Sequence, residues 1–269
     1  MPTPSPGSVA PTRRNIALGA VQVSFLERAG SDPPVLLLHG WEANAASFTG
    51  LLRIAKTSRR LVALDLPGFG ESPLGVTDWT TAAYAELVRG LISTRGWEKV
   101  AILGHSYGGG VALRLAAQPA GSLDRLLLCA ASGVRLANSS GPGGRVRTFR
   151  ALRRTAETLL PARLSEPSVE WLRQRMGSSD YRSAGPLRPI LVRAVQEDLA
   201  PLAEQVQVPT LIIWGGGDTE LPLETYGQRL RQLIPSSELV EFSSSGHFPF
   251  VDEPARFAAV FDSFVDARL

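Results

Sequence analysis

A serine stands at the centre of Gly104-His105-Ser106-Tyr107-Gly108, with the apolar run Val100-Ala101-Ile102-Leu103 before it and Gly109-Gly110-Val111-Ala112-Leu113 after it. That order predicts a strand, a sharp turn and a helix, with Ser106 at the apex. Glycine on both sides of the triplet removes the side chains that would clash in so tight a turn. A serine hydroxyl is a poor nucleophile at neutral pH unless a neighbouring base takes its proton, and a G-x-S-x-G turn is one way to present it.

The base must come from very few residues, because the chain has three histidines: His39, His105 and His247. His105 is the sequence neighbour of Ser106, so on a sharp turn its ring points away from the apex. His39 ends the apolar stretch Leu36-Leu37-Leu38 and, like His105, is expected to hold a loop through its ring nitrogens. His247, in Ser245-Gly246-His247-Phe248, is left as the candidate base. Ahead of it, Thr210-Leu211-Ile212-Ile213-Trp214 reads as a buried strand running into a glycine-rich loop that carries Asp218. Serine, acid, histidine is the chain order of one of the three common serine-hydrolase architectures.

These motifs, with His39-Gly40-Trp41 and Asp65-Leu66-Pro67-Gly68-Phe69-Gly70-Glu71-Ser72 in their expected order, make residues 21–269 resemble the α/β-hydrolase superfamily. The resemblance implies Ser106 as nucleophile, His247 as general base and acid, and Asp218 as the carboxylate that orients the imidazole. It places the backbone N–H groups of Trp41 and Tyr107 in an oxyanion hole, and makes the product a serine hydrolase acting on a carboxylic ester or related activated carbonyl. No metal and no cofactor are implied. An aspartate at position 106 would have suggested a haloalkane dehalogenase or an epoxide hydrolase instead. Other chemistries of the same triad stay open: carbon–carbon bond hydrolysis, perhydrolysis, a lyase reaction, acyl transfer, or slow turnover in a ligand receptor.

The pattern along the chain agrees with an α/β fold, a mostly parallel central sheet flanked by helices. Strands are predicted at 35–39, 61–66, 100–104, 125–130, 210–214 and 238–242, and helices at 45–56, 81–95, 107–118, 223–233 and 254–265. Each motif follows the carboxyl end of a strand, where open α/β sheets bind ligands. Residues 134–207 break the alternation with apolar positions at helical spacing only. This segment is similar to the helical cap inserted in the superfamily, which leaves 15–133 and 208–269 as the core domain. Residues 1–14, opening Met1-Pro2-Thr3-Pro4-Ser5-Pro6, are expected to be a disordered tail, although 15–27 alternates like a strand.

Composition narrows the setting. No apolar run reaches the ~18 residues of a membrane span, the amino terminus lacks the apolar stretch of a secretory signal, and the single cysteine, Cys129, cannot close an internal disulfide. A cytoplasmic protein, monomer or homodimer, is expected. Between residues 134 and 205 there are twelve arginines against seven acids. A basic lid could steer acidic substrates, but stripes such as Arg150, Arg153 and Arg154 also suit an ordinary solvated helix face, the reading preferred here. No recognition motif for nucleic acid accompanies the charge.

Three other acids compete for the orienting role. Asp124 precedes its strand and so lies at the wrong end of the sheet, Asp252 leads into the last helix, and Asp65 suits a loop-organising turn. The partner expected is a small-molecule substrate, bound by Trp41, Tyr107 and Phe248. The Trp41 indole is expected to be a pocket wall, and Phe248 also packing for the histidine loop.

Overall fold

The stretch Val35-Leu36-Leu37-Leu38 has no polar face, so a strand there must be covered on both sides. In the computed structural model, which describes residues 10–75, 79–118, 121–135 and 183–267, it forms β3 (Ser31–Leu38) near the middle of an eight-stranded sheet. Alternate residues serve alternate faces. Val35 and Leu37 belong to a core with Phe48, Leu51, Phe257 and Phe261, whereas Leu36 and Leu38 belong to a second core with Tyr84, Val88 and Val111. Each such side chain, fully withdrawn from water, contributes about 1.5–3 kcal/mol of transfer free energy.

The other strands are β1 (Thr12–Leu18), β2 (Val21–Arg28), β4 (Arg59–Leu64), β5 (Val100–His105), β6 (Leu123–Cys129), β7 (Thr210–Gly215) and β8 (Ser237–Phe242). Their order is β1-β2-β4-β3-β5-β6-β7-β8. The β1/β2 and β2/β4 pairs are antiparallel and the rest parallel. One face carries α1 (Thr49–Ile54) and, later in the chain, the short Pro249–Asp252 helix and the long Pro254–Val265 helix. The other carries α2 (Thr81–Thr94), α3 (Tyr107–Ala116) and the helix Gly227–Leu233. Among the described residues the α-helices after α3, in chain order, are α4 (Arg188–Gln196), α5 (Ala200–Ala203), α6 (Gly227–Leu233), α7 (Pro249–Asp252) and α8 (Pro254–Val265). This is the expected mostly parallel α/β architecture. No helix among the described residues is long and apolar enough to cross a membrane.

The amino-terminal boundary needs correction. Residues 12–14, assigned above to the tail, are strand: β1 pairs with β2 in register from Thr12 opposite Glu27 to Leu18 opposite Val21. Arginine at 13 and 14 suggests a solvated tail, but both side chains have buried acids to meet. Arg13 Nη1 lies 2.5 Å from Asp65 Oδ2, and Arg14 Nε 2.8 Å from Glu27 Oε2. The remaining tail residues 1–9 lie outside the described residues, as do 136–182 of the expected cap.

Residues 133–135 meet residues 198–199. Leu199 N–H donates to the Gly133 carbonyl at 2.8 Å, and Arg135 N–H to Asp198 Oδ1 at 3.2 Å. From there α5 leads back to β7.

Candidate active site

The loops that follow β3, β4, β5, β7 and β8 bring His39, Asp65, Ser106, Asp218 and His247 to the carboxyl edge of the sheet. Ser106 sits between β5 and α3 with φ +49° and ψ −114°. Serine rarely adopts this left-handed backbone, which costs about 1–3 kcal/mol and persists only where the surroundings enforce it. They do so through three hydrogen bonds: Ser106 N–H to the Cys129 carbonyl at 3.0 Å, and Gly109 and Ser132 N–H to the Ser106 carbonyl at 2.9 and 3.0 Å. The glycines are required by close approach. A Cβ on Gly104 would run into the Gly108 carbonyl, and one on Gly108 into the Leu38 carbonyl.

Asp218 and His247 are brought together. Asp218 Oδ2 lies 2.8 Å from His247 Nδ1, while Oδ1 accepts the N–H groups of Glu220 and Leu221, both at 2.9 Å. Burial alone would raise this carboxyl. The hydrogen bonds from His247, Leu221 and Glu220, with the charge on the nearby imidazole, outweigh that and hold it below the usual carboxylate range. An ionised carboxylate only accepts, so Nδ1 carries a proton, and in the neutral ring that leaves the lone pair on Nε2. The loop behind the ring is pinned as well: Gly246 N–H donates to Asp252 Oδ2 at 2.8 Å, and Ser245 Oγ to Glu253 Oε1 at 2.8 Å.

The other two histidines hold loops. His105 Nε2 donates to the His247 carbonyl at 2.9 Å, which fixes its tautomer, since a carbonyl cannot donate. His39 Nδ1 donates to the Gly40 carbonyl at 2.8 Å, while Nε2 accepts Leu66 N–H at 3.0 Å. Burial, helped by the nearby His247, pushes His105 down to about 3, and burial pushes His39 down to about 4. Neither is charged at neutral pH.

The competing acids are engaged elsewhere. Asp124 pairs with Arg59 at 3.2 Å. Asp252 takes the Gly246 N–H and no ring nitrogen. Asp65 accepts Ala45 N–H at 2.6 Å, Glu71 N–H at 3.0 Å and Arg13 at 2.5 Å, organising its loop.

Gly40 passes so close that a Cβ there would lie 2.9 Å from His105 Nδ1 and 3.2 Å from Ser106 Cβ, which brings the Trp41 loop against the serine. The Trp41 ring meets Phe69 and Tyr107 edge-on, with centroids 5.2 and 5.7 Å apart, and Tyr107 meets Tyr84 at 5.9 Å. Trp41 Nε1 and the Tyr107 hydroxyl are buried without a hydrogen-bond partner. Phe248 packs on His105 and His247, with centroids 4.8 and 5.2 Å apart, and stays 38% exposed. Cys129 is fully buried, and burial pushes its thiol well above the usual range.

One group at the site escaped the sequence reading. Glu220 Oε2 lies 3.7 Å from His247 Nε2. No motif marks that residue. Its position two places after Asp218, on a loop folded around that carboxylate, is the signal that could have found it.

A mostly parallel sheet with a strained serine between β5 and α3, and a carboxylate–histidine pair from the loops after β7 and β8, defines an α/β enzyme of the hydrolase type. The chain belongs to the alpha/beta hydrolase family, whose sequence profile matches residues 35–260. It is 33% identical to an uncharacterised protein of Mycobacterium bovis, over 88% of this chain and 76% of that one. It is 28% identical to a pimeloyl-[acyl-carrier protein] methyl ester esterase of Nitrosomonas europaea, over 88% of this chain and 98% of that one. Among solved structures, an esterase from Exiguobacterium antarcticum superposes with a TM-score of 0.69 at 25% identity, covering 92% of this chain and 96% of that one.

Proposed function

We propose that this protein hydrolyses a small carboxylic ester through an acyl-enzyme, with Ser106 as nucleophile, His247 as base and Asp218 as its orienting acid. The observation that carries the reading is the 2.8 Å Asp218–His247 contact at the same sheet edge as a serine held at φ +49° on the strand-to-helix turn. His247 Nε2 takes the hydroxyl proton as Ser106 Oγ bonds to the carbonyl carbon. Asp218 then faces an imidazolium and stabilises it without taking its proton.

The carbonyl oxygen, now negative, is assigned to the N–H groups of Trp41 and Tyr107. One such donor is worth about 10²- to 10³-fold in rate. His247 returns the proton to the departing alkoxide, and a water activated by the same ring releases the acid. Trp41, Tyr107 and Phe248 are proposed to line the substrate pocket. The insertion at 134–207 is read as its cap, supported by the way residues 133–135 and 198–199 close on each other. The methyl ester named for the Nitrosomonas relative is consistent with a small alcohol as leaving group.

The test is a panel of p-nitrophenyl esters of increasing acyl length, with fluorophosphonate labelling mapped by mass spectrometry. Ser106→Ala is expected to lower kcat by roughly 10⁴-fold or more, with the thermal transition retained and the label gone. Full esterase activity in that variant would refute the assignment.

A further inference from the structure

The His247 ring has a carboxylate at each nitrogen. Asp218 receives Nδ1–H at 2.8 Å, and on the opposite edge Glu220 Oε2 lies 3.7 Å from Nε2. Glu220 is held there by its own backbone, because its N–H is one of the two that the Asp218 Oδ1 gathers at 2.9 Å. Its side chain is 64% exposed, and no arginine or lysine pairs with it among the described residues. The carboxylate is therefore anchored at its base and free at its tip.

We propose that Glu220 is a positioning residue that holds the Nε2 edge of His247 whenever that nitrogen carries a proton. The proposal rests on His247 being the base. With the ring neutral, the Nε2 lone pair gives the carboxylate nothing to hold, and Nε2 is left to the Ser106 hydroxyl. With the ring protonated, Nε2–H and Glu220 attract, while Asp218 keeps the other edge. Glu220 takes no proton itself. It stabilises the imidazolium formed during acylation, and at acid pH it also stabilises the resting imidazolium that cannot act as a base.

Other titratable groups also face this ring or its loop. Asp218, from the loop after β7, is bound at Nδ1. His105, from the end of β5, lies with its ring centroid 4.9 Å from that of His247 and is kept neutral by burial. Asp252, in α7, is engaged by Gly246 N–H. Glu220 is the one among them without a hydrogen bond fixing its carboxylate.

The test compares wild type with Glu220→Gln, which keeps the backbone N–H and the side-chain shape but removes the charge. Two readouts are taken: the acid limb of kcat/KM against pH with p-nitrophenyl acetate, and the titration of the His247 ring protons by NMR. Both are expected to move to lower pH by about 0.3–0.7 of a unit, the size of an exposed ion pair. The displacement shrinks at high salt as the pair is screened. Glu220→Asp, which keeps the charge on a shorter arm, restores part of it. Coincident acid limbs and coincident titrations in the two proteins would overturn the proposal. A displaced titration in a protein that cleaves no ester keeps the pair and removes the esterase reading. An active esterase with an undisplaced titration removes Glu220 alone.

Discussion

Asp218 illustrates how a single side chain can set the state of its neighbour. Its carboxylate takes two backbone N–H groups on one oxygen and the imidazole on the other, so it both shapes the loop and selects the ring tautomer. Asp218→Asn keeps the size but replaces an obligatory acceptor with a group that can also donate to Nδ1, which would leave the proton on Nε2. A loss in kcat of about 10²- to 10⁴-fold is expected. Steady-state kinetics on a p-nitrophenyl ester check this, and a loss of only a few fold would move the role to another acid. At this scale the turn at Ser106 and the Asp218–His247 contact were legible, because serine lies in a local pattern and histidine is scarce. Glu220 was not, because its approach to Nε2 depends on a loop folded back around Asp218. The unpartnered Trp41 Nε1 and Tyr107 hydroxyl were equally out of reach, since satisfaction of a hydrogen bond is a property of packing and not of spacing.

Among the elements, β1 is the instructive one. Strands β3 to β7 announce themselves as short apolar runs because helices cover both faces of the sheet. An edge strand such as β1 has no such requirement, and its residues are a mixture of exposed and half-buried, none of them buried. What fixes β1 is its pairing with β2 and the Arg13 contact, 2.5 Å from a carboxylate whose side chain is fully withdrawn from water. Asp65 also braces the loops at Ala45 and Glu71, so the first strand is wired to the turn after β4. Arg13→Ala is expected to destabilise the fold by roughly 1–3 kcal/mol, because it takes the cation from a buried carboxylate that keeps its backbone donors. Urea unfolding measures it, and a change below about 0.5 kcal/mol would place the pair among surface contacts of little worth. The exact limits of the helices were less legible: 45–56 divides into a 3-10 turn at Ala45–Phe48 followed by α1, and the helix foreseen from 223 starts at Gly227.

For the whole molecule, the two buried neutral histidines predict a particular response to acid. His39 is pushed down to about 4 and His105 to about 3, against about 6.5 in the unfolded chain. Below the unfolded value the unfolded state binds protons that the native state refuses, so stability falls as pH falls. Each histidine contributes about 1.4 kcal/mol per pH unit across the window between its two values, and the loss stops once the folded group also titrates. Asp218, held below the usual range, acts with the same sign at lower pH, since its contribution is lost as pH falls through its folded value. Urea midpoints at pH 7, 5.5 and 4.5 should fall steeply. His39→Asn should flatten the slope between 6 and 4.5, and an unchanged slope would mean that the ring is not the source.

The closure of residues 133–135 on 198–199 bears on how such a chain can change. Gly133 and Leu199 are neighbours by hydrogen bond although sixty-five residues separate them in sequence, and Arg135 is tied likewise to Asp198. The sheet, with Ser106, Asp218 and His247, is assembled from residues on either side of that joint. The described residues before 198 also rest on the core, Ser183 on Glu42 and Glu197 on Thr81 and Arg114, so on the proposed reading of 134–207 as a cap it is the stretch between those contacts that can be lengthened, shortened or exchanged while the sheet keeps its coordinates. On that reading selectivity and reactivity are inherited separately, the first rewritten as often as a new compound demands and the second left as it is.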